Sequence, residues 1–153
     1  KNNMRIIKVK TVMLDTYVEN NKVDKIDLMK VDTEGTEDKV FGGGESSITE
    51  FRPVIICEVL SNLIEDKLHL FMDNKNYLYF YVDENELQQC DRIIGDPKVV
   101  SNYLFVPEEK VSLFLKDIKI TKIKEKWRQG VHKDSFVKDY LHFSSPTTIC
   151  KVV

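Results

Sequence analysis

Residues 26–44 read IDLMKVDTEGTEDKVFGGG, and the order of residue types in this stretch decides the fold class. Ile26 to Val31 is a short apolar run of strand character that ends at Asp32. Thr33, Glu34 and Gly35 form a polar turn in which Gly35 permits a tight backbone. TEDKVF then reads as a helix with two acids in its first turn, where free N–H groups favour negative charge. Gly42, Gly43 and Gly44 follow a helix instead of a strand, so they read as a helix stop and not as a phosphate cradle. Working downstream, SSITEF adds another turn or two before Arg52-Pro53, and VIICEVL at 54–60 is a nearly continuous apolar run. Such a run fits a strand buried on both faces of a parallel sheet. Right-handed crossovers place the strands at 26–31 and 54–60 parallel and side by side.

Upstream, residues 6–14 are rich in β-branched types and partly alternate, which predicts a strand, and Asp15 opens a short helix over 15–22. Downstream, Ile64, Leu68, Phe71 and Met72 fall at i, i+4, i+7 and i+8, one apolar helix face. NYLYFYVD at 76–83 and SNYLFVP at 101–107 are aromatic-rich strands separated by a polar stretch, expected to pair antiparallel at a sheet edge. Val111, Phe114, Leu115 and Ile118 predict a further helix. The result is an α/β sheet covered on both faces. Residues 1–107 read as its body and 108–153 as a C-terminal helical extension of unknown role.

With 153 residues, 42% of them hydrophobic, the chain suits one domain and a tail. A formal charge of -2 sets up no field favouring nucleic acid or an anionic membrane. Seven Lys/Arg against two acids lie between Lys116 and Lys133, around Trp127; without a recognition motif they read as a solvated face. Neither nucleic acid nor membrane is expected as a partner. Cys57, Cys90 and Cys150 form no Cys-x-x-Cys pair, which argues against a zinc site. Their odd number fits a reducing compartment, hence a cytoplasmic location. No apolar run approaches the roughly 20 residues of a membrane span, and the first residues have no signal-peptide core. The chain begins at Lys1 and enters strand-like sequence almost at once, so a preceding segment is expected to have been cut away.

Asp32 and Glu58 hold equivalent places near the carboxyl ends of neighbouring strands. About 4.8 Å apart in the sheet, they can face the crevice where ligands of such sheets gather. Glu34 adds a third acid. The plainer alternative, carboxylates exposed at strand ends and complementing a helix dipole, stays open. His69 lies in a helix pattern, and His132 and His142 in the tail; all three read as structural or exposed. No residue is assigned as a metal ligand.

The order TVMLDTYVE, IDLMKVDTEGTEDKVFGGG, RPVIICEVL resembles the C-terminal signature of FkbM-family methyltransferases. That signature has a Leu-Asp pair, an Ile-Asp-Leu-x-Lys-x-Asp-x-Glu-Gly-x-Glu block, a Gly near the helix end and a Pro-led strand finishing in Glu. Leu14-Asp15, Lys30, Asp32, Glu34, Gly35, Glu37 and Glu58 match, while Thr33 and Thr36 depart where the family often has Val and Ala. The likeness covers residues 11–60, and NYLFVP is similar to the family's late edge strand. The resemblance implies part of a Rossmann-like class I methyltransferase sheet, with the N-terminal half that carries the Gly-rich cofactor loop missing. It implies S-adenosylmethionine as methyl donor and O-methylation of a sugar or natural-product hydroxyl, so a small-molecule or carbohydrate acceptor. On that pattern Asp32 and Glu34 are catalytic, Asp32 and Thr33 touch the cofactor, and Glu34 and Glu58 face the acceptor.

A carboxylate of pKa roughly 4 is a weak base for an alcohol, so either burial raises it or a divalent metal ion lowers the alcohol's pKa. Two other readings compete: a non-catalytic methyltransferase-derived interaction module, and a Mg²⁺-dependent phosphoryl-transfer enzyme, which would want a phosphate loop. A sheet cut between its halves would leave the 26–31 strand with an exposed edge, so self-association through that edge is expected.

Overall fold

The computed structural model describes residues 7–84, 86–96, 101–116, 118–122 and 149–152. The basic stretch around Trp127, His132 and His142 lie outside the described residues. The elements are α1 (Leu14–Asn21), β1 (Leu28–Val31), α2 (Glu37–Gly42), α3 (Glu45–Phe51), β2 (Val54–Val59), α4 (Glu65–Met72), β3 (Tyr77–Val82), β4 (Leu87–Cys90) and β5 (Ser101–Pro107). A 3-10 turn (Glu108–Lys110), α5 (Val111–Phe114), β6 (Ile120–Lys122) and β7 (Ile149–Val152) follow.

The strands form one mixed sheet in the order β6-β4-β3-β5-β2-β1-β7. β1 and β2 are parallel neighbours, with Val31 opposite Cys57. Their apolar runs are explained by burial on both faces. Met29, Val31, Ile55, Cys57 and Val59 join a core with Phe41, Ile48 and Leu68 from α2, α3 and α4. Leu28, Val54 and Ile56 alternate onto the other face, against Phe80, Leu104, Val106 and the α5 residues Val111 and Phe114. Phe41 is the pivot of the helical side, edge-to-face with Phe71 at 5.4 Å and with Phe105 at 6.1 Å. As predicted, Ile64, Leu68 and Met72 of the α4 face are buried.

Gly42–44 is indeed a helix stop. Gly43 caps α2, and Gly44 starts α3 so close to α1 that an added Cβ would stand 2.7 Å from Leu14 Cδ2. α1 is tied to the same corner by Asp15, whose amide donates to the Gly43 carbonyl at 2.9 Å. Its carboxylate accepts from the amides of Ser46 and Ser47 and from the Ser47 hydroxyl, at 3.0, 2.8 and 2.6 Å. Asp15 thus caps a helix other than its own. At the other end of α3, Arg52 leaves the helix with φ 48° and binds both oxygens of Glu109, at 2.5 and 2.8 Å. Arg52 also donates to the Lys75 and Asn76 carbonyls and lies over the Tyr77 ring.

Several expectations need correction. Residues 7–13 are not a strand: Ile7 and Val9 are 69% and 77% exposed, because β-propensity without a neighbouring strand leaves nothing to pair with. β1 has no open edge, since β7 pairs with it in parallel, Leu28 opposite Ile149. It therefore offers no free ladder for self-association. β3 and β5 do pair antiparallel, but in the sheet interior, with β5 inserted antiparallel between β2 and β3. The polar stretch between them contains β4, hidden by having Leu87 as its one buried side chain. Among its described residues, the segment expected as a helical extension holds the 3-10 turn, the short α5 and strands β6 and β7. Among the described residues no helix is long and apolar enough to cross a membrane.

Candidate functional site

β1 ends at Val31, opposite Cys57, and β2 runs on to Val59. One step beyond the Val31–Cys57 pair, Asp32 comes opposite Glu58, and Asp32, Glu34 and Glu58 each place a carboxylate oxygen within 4.8 Å of the others. All three expected acids are therefore assembled at the carboxyl ends of two parallel strands. Glu34 is exposed, while Asp32 and Glu58 are half-buried.

The turn that presents them is unusual in its backbone. Glu34 has φ 56° and Gly35 φ 92°, two successive residues in the left-handed region. The turn's N–H groups are taken by Glu37, not by Asp32 or Glu34. Glu37 Oε1 accepts from the Thr33 amide at 2.7 Å and the Thr33 hydroxyl at 3.1 Å, and Oε2 accepts from the Gly35 amide at 3.1 Å. The Thr36 hydroxyl closes the turn onto the Thr33 carbonyl at 3.1 Å. Thr33 sits beside the acids, but its hydroxyl proton is committed to Glu37, so only acceptor capacity remains for a ligand.

Lys30, two residues before Asp32 on the same strand face, places Nζ 2.7 Å from Asp32 Oδ2. Burial raises the pKa of Glu58 above the usual carboxylate range, and the charges of Asp32 and then Glu34 add to it, with Lys30 opposing. Among the three acids Glu58 is thus the one whose surroundings favour holding a proton. Burial, and after it the charge of Glu37, pushes the neighbouring Cys57 thiol well up, so it stays protonated and is no nucleophile. His69 packs edge-to-face on Tyr79 at 5.8 Å and is not part of the acid cluster.

Beside the acids, the β2–α4 turn and the β4–β5 connection enclose an open groove of about 490 Å³, whose lining includes Leu63, Asp66, Arg92 and Ile94. Leu63 links groove and acids, because its Cδ1 lies 3.5 Å from where a Cβ on Gly35 would stand. The groove wall is fixed in place. The Tyr103 hydroxyl donates to the Ile94 carbonyl at 2.8 Å and accepts from the Ile94 amide at 3.2 Å. Gly95 presses on Ser61 so tightly that a Cβ would fall 2.4 Å from Ser61 Cα.

Residues missed by sequence reasoning are Lys30 and Glu37 as parts of this site. The available signal for Lys30 was its two-residue spacing from Asp32; for Glu37 there was only its place in the motif.

No curated protein and no solved structure matches the chain significantly. The Methyltransferase FkbM domain matches residues 1–94, more than half of the chain, and spans the acids, their turn and both strands that carry them. The chain belongs to the FkbM methyltransferase family.

Proposed function

We propose that this domain serves an S-adenosylmethionine-dependent methyltransferase of Rossmann-like class I architecture, acting on a hydroxyl of a small-molecule or carbohydrate acceptor. The observation that carries this reading is the convergence of Asp32, Glu34 and Glu58 at the ends of parallel β1 and β2, within the region matched to the family. S-adenosylmethionine, when bound, supplies an electrophilic methyl group on a positively charged sulfur. An anionic strand-end rim suits that charge, with Asp32 and Thr33 the residues placed to hold it.

Lys30 pairs with Asp32 at 2.7 Å and orients it, so the role assigned to Asp32 is positioning. Glu34, exposed at the turn, faces the acceptor hydroxyl, and Glu58, with its raised pKa, takes up the proton that the hydroxyl loses. The groove beside Leu63 receives the rest of the acceptor. Three carboxylates within 4.8 Å of one another could hold a divalent ion that keeps water on its other positions, but Lys30 already pairs with Asp32 there. No step is therefore routed through a metal.

A second reading, a non-catalytic interaction module derived from a methyltransferase, is favoured by one observation. Among the described residues the Gly-rich run follows α2 as a helix stop, and no glycine-rich loop follows a strand. Calorimetric titration with S-adenosylmethionine separates the two. This chain by itself is expected to bind no better than low-millimolar, and the enzyme reading then needs the longer protein to bind far more tightly. In that enzyme, Asp32→Asn and Glu34→Gln should each lower turnover on the order of 10²-fold with little change in melting temperature. Turnover within about threefold of the parent would remove both acids from the active site.

A further inference from the structure

Glu37 is, among the described residues, the only Asp, Glu, Lys or Arg that is fully buried, with 0% of its surface exposed. An ionised carboxylate is costly to bury unless hydrogen bonds replace its water, and no lysine or arginine among the described residues is paired with it. Its compensation comes from the turn alone: the Thr33 amide and hydroxyl on Oε1, and the Gly35 amide on Oε2. Those two residues flank Glu34. Glu34 itself has φ 56°, a conformation that non-glycine residues adopt seldom and that the surroundings must enforce.

We propose that Glu37 is the positioning residue of the acid site. By gripping the chain on both sides of Glu34 it holds that residue in the left-handed turn and brings the Glu34 carboxylate within reach of Asp32 and Glu58. It touches neither donor nor acceptor and acts through Glu34. The inference rests on the reading of the three acids as the functional site, but the grip itself can be measured apart from any activity.

The test uses the whole chain, isotopically labelled, with two variants. Glu37→Gln keeps the shape and turns one acceptor into a donor facing the turn's N–H groups; Glu37→Asp keeps the charge and loses the reach. In both, exchange of the Thr33 and Gly35 amides should quicken about tenfold or more, and the carboxyl ¹³C signals of Asp32, Glu34 and Glu58 should all move at fixed pH. The control is Ser47→Ala, which removes an equally buried hydrogen bond at α3. It should lower the melting temperature and leave those amides and carboxyl signals in place.

If the Glu37 variants melt lower but keep parental exchange and carboxyl signals, or if Ser47→Ala moves them as much, Glu37 is merely structural and the inference fails. Should neither Glu37 variant fold, the unaltered protein decides. A Gly35 amide that exchanges as freely as those of exposed residues 8–12 overturns the grip, and a protected one supports it. Neither readout uses cofactor or acceptor, so failure of the methyltransferase reading gives a different result from failure of this one.

Discussion

Replacing Asp15 by alanine removes the cap that α1 supplies to α3. Three hydrogen bonds go at once, two from backbone amides and one from the Ser47 hydroxyl. A bond to a charged group is worth about 1.5–3 kcal/mol, yet Asp15 is only half-buried and water can reach the freed Ser46 amide. The low end applies, and a loss of about 1–2 kcal/mol agrees with helix caps in general. For a chain of this size that corresponds to a fall in melting temperature of roughly 2–8 °C.

The pH dependence of that loss gives a second check. Burial would raise the Asp15 carboxyl, but hydrogen bonds from Ser47 and Ser46 outweigh it and the folded-state pKa lies below the ordinary 3.8. A depressed carboxyl contributes stability above the unfolded pKa and loses it as pH falls through the folded one. The gap between parent and Asp15→Ala, followed by circular dichroism melts, should be full at pH 7 and shrink below about pH 4. A melting temperature within about 1 °C of the parent at pH 7, or a gap unchanged at pH 3, would refute the capping argument.

Gly95→Ala forces a Cβ to 2.4 Å from Ser61 Cα and 2.8 Å from Ser61 N, backbone atoms that cannot yield without moving the β2–α4 turn. It should cost about 1–3 kcal/mol in a denaturant titration, and a midpoint equal to the parent's would show that the contact is looser than the structure has it. The Arg52 hydrogen bond holds the Glu109 carboxyl at about 2, so the pair stabilises above the ordinary Glu value of 4.5 and loses its effect as pH falls toward 2. Because Glu109 is half-exposed the pair is screened, and Glu109→Gln should cost at most about 1 kcal/mol at pH 7 and nothing near pH 2. A cost that stays constant across that range would assign the effect to packing instead of charge.

The pairing of Asp32 with Glu58 was legible because two largely apolar runs joined by a helical crossover leave little choice but parallel neighbours, and their shared direction then fixes the opposing residues. Glu37 was not legible. In TEGTEDK it is one acid among three, and nothing local separates it, fully buried, from half-buried Asp38 or exposed Glu34. Its burial is decided by what α2 packs against. Residues 7–13 failed in the opposite sense: RIIKVKTVML has the composition of a strand, but pairing needs a partner, and the open side of β1 belongs to β7. Strand order was hidden for the same reason, since no local pattern tells that SNYLFVP enters between two strands made earlier in the chain.

That insertion has a consequence for biosynthesis. Between the synthesis of β2 and that of β5, the ribosome adds roughly fifty residues, which at 5–20 residues per second takes on the order of 2–10 s. Over that interval the flank of β2, and once residues 77–82 are made that of β3 as well, lacks the strand β5 that pairs with both. An expression boundary drawn at residue 94, where the family match stops, would make that transient state permanent, whereas one drawn beyond Pro107 supplies the strand that joins the two halves.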